Sequence, residues 1–195
     1  MKKTKHPRPV PTAAELRQEL GRVRYRRRYR TVLKSTLYSL ITVAAVAVLI
    51  ATLWLPVLQI YGSSMTPTMQ NGDIVFSLKT QDFQPGDVVA FYYNNKILVK
   101  RVIAGPADWI DIDPDGTTYV NGEPLTEPYV KEKAYGETNI TLPYQVPDEK
   151  VFVMGDHRST SVDSRNTAVG CVAQEQIVGK IIFRIWPLDQ IGAID

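Results

Sequence analysis

The sequence predicts a mainly β protein, an antiparallel sheet or partly open barrel preceded by one N-terminal transmembrane helix. Three observations predict it. Leu37 to Ile60 is a run of 24 residues without a charge. Beyond Tyr61, turn signals follow one another closely. Between those turns lie short β-branched or aromatic runs, and no long helical period interrupts them. Composition agrees, because 44% hydrophobic and 22% charged residues in a chain of 195 exclude wholesale disorder and collagen-like structure.

The helix comes first. Within Leu37–Ile60 only Ser39, Thr42, Thr52 and Gln59 are polar, and at about 1.5 Å per residue the run would extend roughly 36 Å, enough to cross a hydrocarbon core of about 30 Å. A buried core helix would carry a polar stripe, which is missing here. A cleavable secretory signal has a shorter apolar stretch and a small-residue cleavage site after it. Upstream, Thr12-Ala13-Ala14-Glu15 has the form of a capping box, so a basic helix is expected to begin near Ala13.

The net charge of +3 hides an uneven distribution. Residues 1–34 hold 12 Lys/Arg against Glu15 and Glu19, leaving +10, while the rest holds 11 cations against 18 carboxylates, leaving −7. Lys and Arg beside a membrane helix tend to stay cytoplasmic, so Arg24–Lys34 puts the acidic body outside the cell membrane. The expected organisation is a basic cytoplasmic segment over 1–34, a single-pass membrane helix over 35–61 and an extracytoplasmic catalytic β domain over 62–195. The Arg-rich run also suits membrane lipid. Nucleic-acid binding competes as an explanation of Arg22–Arg30, but topology already accounts for these charges.

The body follows in short strands. Asn71-Gly72-Asp73, Pro85-Gly86-Asp87, Asp113 to Gly116, Asn121-Gly122 and Met154-Gly155-Asp156 mark turns. Seven or so strands are expected, at Ile74–Phe76, Val88–Tyr93, Ile97–Ile103, Trp109–Ile112, Thr117–Val120, Val151–Met154 and Ile177–Trp186. The lone Cys171 permits no internal disulfide, so a hydrophobic core must hold the domain, and this cysteine reads as a small buried hydrophobe.

Three polar clusters carry candidate chemistry. They are Gly62 to Met69, Lys100-Arg101 inside an apolar strand, and Gly155 to Arg165. On that strand Lys100 shares a face with Leu98 and Val102, and Arg101 shares the other with Val99 and Ile103. Arginine stays protonated, but desolvation lowers a lysine pKa by as much as several units from about 10.4, so Lys100 has the chemistry of a base for a serine hydroxyl. An edge-strand lysine snorkelling to solvent is the alternative. His157, the only histidine past the membrane run, is a competing base, with Asp156 or Asp163 to orient it. One His and one Cys make a zinc site improbable, so no metal and no cofactor are expected.

These clusters, in this order behind an anchor, resemble the bacterial type I signal peptidase family. Ser64-Met65-Thr66-Pro67-Thr68 is similar to its nucleophile motif, Lys100-Arg101-Val102-Ile103 to its base strand, and Gly155-Asp156-x-Arg158 through Ser161-x-Asp163-Ser164-Arg165 to its third box. The likeness continues through Tyr119 to Leu125 and Gly179-Lys180 to Trp186-Pro187. It implies a serine endopeptidase that removes signal peptides from exported preproteins through an acyl-enzyme. By resemblance, Ser64 is the nucleophile, Lys100 the general base, Ser161 a hydrogen-bonding partner of the amine, and Asp163 with Arg165 a bracing salt bridge. The oxyanion site would use the Ser64 N–H with help from position 62, here Gly62 without a hydroxyl. Met65 and Val99 are the expected apolar wall for substrate, and each reads equally as plain core. His157 stands where the family usually has Asn, and Ala104 and Ala107 replace glycines. Two other classes compete, a self-cleaving repressor-type Ser-Lys protease, which the anchor disfavours, and a catalytically inactive peptide-binding module.

Overall fold

Thr12 starts the first helix through the expected reciprocal bonds. Its N–H donates to Glu15 Oε2 at 2.8 Å, and the Glu15 N–H donates back to Thr12 Oγ1 at 3.4 Å. The computed structural model describes residues 12–194 and divides into two units between Leu49 and Ile50. Helix α1 spans Ala13–Trp54, and its stretch Ala13–Leu49 contains a window of mean hydropathy 1.9, long and apolar enough to cross a membrane. The helix ends sooner than the charge-free run. Leu55 precedes Pro56, and a residue before proline is pushed out of the helical region. The expected helix over 35–61 is therefore corrected at its C-terminal end, because Val57–Gln59 form a strand.

After the last turn of α1, the second unit is built of β-strands apart from two single-turn 3-10 helices, Gln174–Gln176 and Leu188–Gln190. Its strands are β1 Val57–Gln59, β2 Ile74–Leu78, β3 Val88–Tyr93, β4 Lys96–Ala104, β5 Trp109–Ile112 and β6 Thr118–Val120. After them come β7 Glu123–Pro124, β8 Tyr144–Gln145, β9 Lys150–Met154, β10 Val172–Ala173, β11 Ile177–Trp186 and β12 Gly192–Ala193. The seven expected strands are all present. The additional ones are pieces of two or three residues, too short to show a period of two in sequence.

All pairings are antiparallel. The main sheet runs β1-β2-β11-β3-β4-β9-β10, with β12 on β11, and a smaller sheet runs β7-β6-β5-β8. The long strand β4 is shared between two neighbours. Lys96–Arg101 pair with β3, and Arg101–Ala104 pair with β9 on the opposite edge. Residues 96–100 are consequently left with one unpaired edge among the described residues. The outer edge of β1 is unpaired as well.

Core packing fixes what surrounds these edges. Ile60, Met65, Met69, Val75, Val88, Ala90 and Ile181 form one buried cluster, with Leu58 and Val99 packed against it. Val89, Phe91, Val102, Val151 and Val153 form another, with Leu98 packed against it. Each Val, Ile, Met or Phe side chain among them contributes about 1.5–3 kcal/mol when fully buried. Lys100 thus enters an interior made mostly of aliphatic groups.

One sheet face is left apolar and open. Register sets Val57, Phe76 and Phe183 in one row and Ile74 and Trp186 in another. Val57 and Trp186 are about half exposed, as is Ile191, and Leu188 is 69% exposed.

Candidate active site

The loop that follows β1 is closed at its base by backbone bonds. Ile60 N–H donates to Asp73 O at 2.8 Å and Gly72 N–H to Ile60 O at 2.9 Å. Gly62 takes φ 94°, a left-handed value that favours glycine. Its N–H donates to Asn71 Oδ1 at 3.0 Å. A helical turn follows, with Thr66 N–H on Ser63 O at 3.1 Å and Met69 N–H on Met65 O at 2.9 Å. Met65 and Met69 plug that turn into the core, and Ser64 is left facing a groove.

Lys100 arrives from β4. Asn94 and Asn95 make a two-residue hairpin between β3 and β4, with Asn94 at φ 51°, and the register places Lys100 opposite Val89. Lys100 is only 4% exposed, and its Nζ lies 2.7 Å from Ser64 Oγ. Burial pulls its pKa down from 10.5 to about 8, opposed by the negative charges of Asp163 and Asp156 and assisted by Arg165. As an ammonium it donates to Ser64 Oγ. Once neutral, the direction reverses and the serine hydroxyl donates to the amine.

Buried ion pairs hold the surrounding frame. Asp156 accepts from Arg101 Nε at 2.9 Å and Nη2 at 2.8 Å, and from the Thr68 hydroxyl at 2.5 Å, tying the third polar cluster to the other two. The Arg101 guanidinium lies 3.9 Å from the centroid of the Tyr129 ring. Arg165 Nε and Nη2 donate to the two oxygens of Asp163 at 2.8 and 2.9 Å. Burial pushes the Asp163 carboxyl up, but bonds and charge from Arg165, the nearby Ser161 hydroxyl and the Gly155 N–H hold it below the usual carboxylate range. Arg158 pairs with Glu127. Gly155 is required sterically, since a Cβ there would stand 2.5 Å from Ser64 O and 2.3 Å from Ser161 Oγ.

The residues singled out in the sequence meet different fates. Ser64 and Lys100 are in hydrogen-bond contact, and Met65 and Val99 both line the groove and pack in the core. Asp163 and Arg165 are paired. The expected bond from Ser161 to the lysine is not made. Its buried hydroxyl makes no hydrogen bond within 3.5 Å among the described residues and instead lies near the Asp163 carboxylate, whose charged form it favours. Gly62 cannot lend its N–H to an oxyanion while Asn71 holds it. The His157 ring is bonded to Thr66 Oγ1, at 3.0 Å from Nδ1, rather than to the Ser64 hydroxyl. Cys171 is half-buried rather than fully buried, and burial raises its thiol pKa, which leaves it a poor nucleophile. Sequence reasoning missed Glu127, Tyr129 and Asn71. Glu127 and Tyr129 sit in a loop and meet partners about 30 residues away in sequence, and Asn71 reads in sequence only as a turn residue.

The groove itself measures about 720 Å³ and is bounded by Leu58, Gln59 and Ile60 on one side and Lys96–Lys100 on the other, with Ser64 and Lys100 at its wall. The sequence matches the family described as "Signal peptidase, peptidase S26" over residues 33–186. It is 34% identical over 164 residues to signal peptidase I of Bacillus amyloliquefaciens, covering 78% of this chain and 88% of that one. It is 38% identical over 151 residues to signal peptidase IB of Staphylococcus aureus, covering 67% of this chain and 78% of that one. A solved structure of a signal peptidase I from Enterococcus faecalis V583 aligns with TM-score 0.44 and 30% identity over 52% of this chain and 98% of that chain. On the extent of the family match and the identity to these relatives, the chain belongs to the peptidase S26 family of signal peptidases, serine endopeptidases that remove signal peptides from preproteins.

Proposed function

We propose that Ser64 and Lys100 are the catalytic pair, with Ser64 as nucleophile and Lys100 as general base. The observation that carries this reading is the 2.7 Å contact between a serine hydroxyl and a buried amine whose pKa is lowered to about 8. Neutral Lys100 takes the hydroxyl proton as Ser64 attacks the scissile carbonyl, gives it to the leaving amine, and then activates water against the acyl-enzyme. Ser161 supports the cycle as a second partner for Nζ. Its unpartnered hydroxyl and the Ser64 carbonyl both lie against the Gly155 α-carbon, within reach of the same small space. Asp163 and Arg165 brace this region, and their opposed charges temper the lysine pKa.

Substrate binding uses the two unpaired edges. An extended preprotein segment laid between β1 and residues 96–100 of β4 would find free main-chain groups on both sides, with Met65 and Val99 beneath alternate side chains. The basic start of α1 is cytoplasmic and the β unit extracytoplasmic, by the charge rule. The open apolar face of Val57, Phe183, Trp186, Leu188 and Ile191 suits membrane lipid. The catalytic domain starts at β1 rather than at residue 62.

The test is cleavage of a preprotein by the full chain in lipid or detergent. Wild type should release the signal peptide, and Ser64→Ala and Lys100→Met should not. Full activity in Lys100→Met ends the assignment.

A further inference from the structure

Attack by Ser64 builds negative charge on the scissile carbonyl oxygen, and the Ser64 N–H, free of any hydrogen-bond partner among the described residues, is the donor to meet it. That N–H belongs to the peptide unit joining Ser63 to Ser64. Whatever grips the Ser63 carbonyl therefore orients and polarises the donor. Two groups from one residue grip it, the Thr66 N–H at 3.1 Å and the Thr66 hydroxyl at 2.9 Å.

The Thr66 hydroxyl has a second contact, 3.0 Å to His157 Nδ1. Its single hydrogen goes to Ser63 O, because a carbonyl only accepts. Nδ1–H must then donate into Thr66 Oγ1, which assigns the ring proton to Nδ1. Both the neutral ring in this form and the imidazolium supply that donor. His157 also fixes the peptide unit on the other side of the nucleophile, since its backbone N–H donates to Ser64 O at 3.0 Å. One residue thus holds both peptide planes that flank Ser64.

We propose that His157 is a positioning residue, an Nδ1–H donor that acts through Thr66 to aim and polarise the Ser64 N–H towards the developing oxyanion, and not a base. This rests on Ser64 being the nucleophile. Loss of a whole oxyanion donor costs about 10²–10³ in kcat, and a weakened donor costs less, about tenfold.

The experiment compares His157→Ala, His157→Asn and His157→Asp in the full chain with a peptide substrate and with a peptide boronate, whose serine adduct presents a tetrahedral anionic oxygen. His157→Ala should lower kcat about tenfold with KM within about twofold, and should weaken the boronate in parallel. His157→Asn, whose amide N–H stands close to the place of Nδ1–H, should restore both. His157→Asp only accepts, draws the Thr66 hydrogen away from Ser63 O, and should be no better than alanine. In a Thr66→Val background His157→Ala should add nothing. If His157→Ala fails to fold, the Asn and Asp variants carry the comparison. Wild-type kcat in His157→Ala, equal activity of the Asn and Asp variants, or full additivity with Thr66→Val overturns the inference. Those results leave the catalytic pair standing as long as Lys100→Met is inactive, whereas an inactive His157→Ala beside an active Lys100→Met overturns both.

Discussion

The most direct perturbation is of pH around Lys100. With a pKa of about 8 instead of 10.5, roughly a tenth of the enzyme holds a neutral lysine at pH 7, against about 0.03% for an ordinary lysine. The rate constant kcat/KM should rise close to tenfold per pH unit up to about 7.5 and level off near 9, read with an internally quenched signal-peptide substrate in detergent. Stability gives an independent check. Because the folded pKa lies below the unfolded one, folding expels a proton between about 8 and 10.5, so the unfolded chain binds more protons there. Stability from this group is complete above about 10.5, declines as pH falls to about 8, and is constant below. The whole effect is about 3 kcal/mol, and Lys100→Met should lack it. Denaturant titrations of the two proteins at pH 7.5 and 10 should therefore converge or cross by about 2.4 kcal/mol, most of that effect. A flat rate profile from pH 6 to 9, or a rising limb that vanishes in His157→Ala, would refute the reasoning.

Two further substitutions probe the frame. Asp163→Asn removes the largest charge that favours the protonated lysine, so the rising limb should move to lower pH, and it strands the buried Arg165 at a cost of about 3–5 kcal/mol, read by denaturant unfolding. Gly155→Ala drives a methyl group against Ser64 O and Ser161 Oγ, and should reduce kcat at least tenfold while the protein still folds, measured by turnover beside circular dichroism.

The elements legible in sequence were those with a local signal. The capping box at Thr12 and Glu15 and the strands of four or more residues show in composition or period and are where they were expected, while the charge-free run is helical only as far as Trp54. The end of α1 was signalled by Pro56, but the apolar residues after it read as more of the same span, because β1 is apolar for a different reason, as sheet and core. Lys100 was recognisable as a cation in an apolar strand. Its distance to Ser64 was not, since that depends on a contact between residues 36 apart. The partners chosen by Ser161, Gly62 and His157 lie in loops, where side-chain direction follows tertiary contacts that no period encodes.

What gives a single lysine both a dry environment and access to a peptide is the way β4 changes neighbours. At Arg101 the strand passes from β3 to β9 and is paired on both sides, and Arg101 is locked to Asp156, which pins the register of Lys100. A slip of one residue would exchange Lys100 with a side chain of the opposite face and bury Arg101 against Ser64. Immediately before that point one edge is free, and the main chain at residues 96–100 is open to an incoming strand. In the proposed roles, Lys100 would lie next to the point where β4 becomes paired on both sides, buried enough to desolvate an amine and beside an edge open enough to admit substrate. A helix would not offer this, because its backbone groups are already satisfied along both sides.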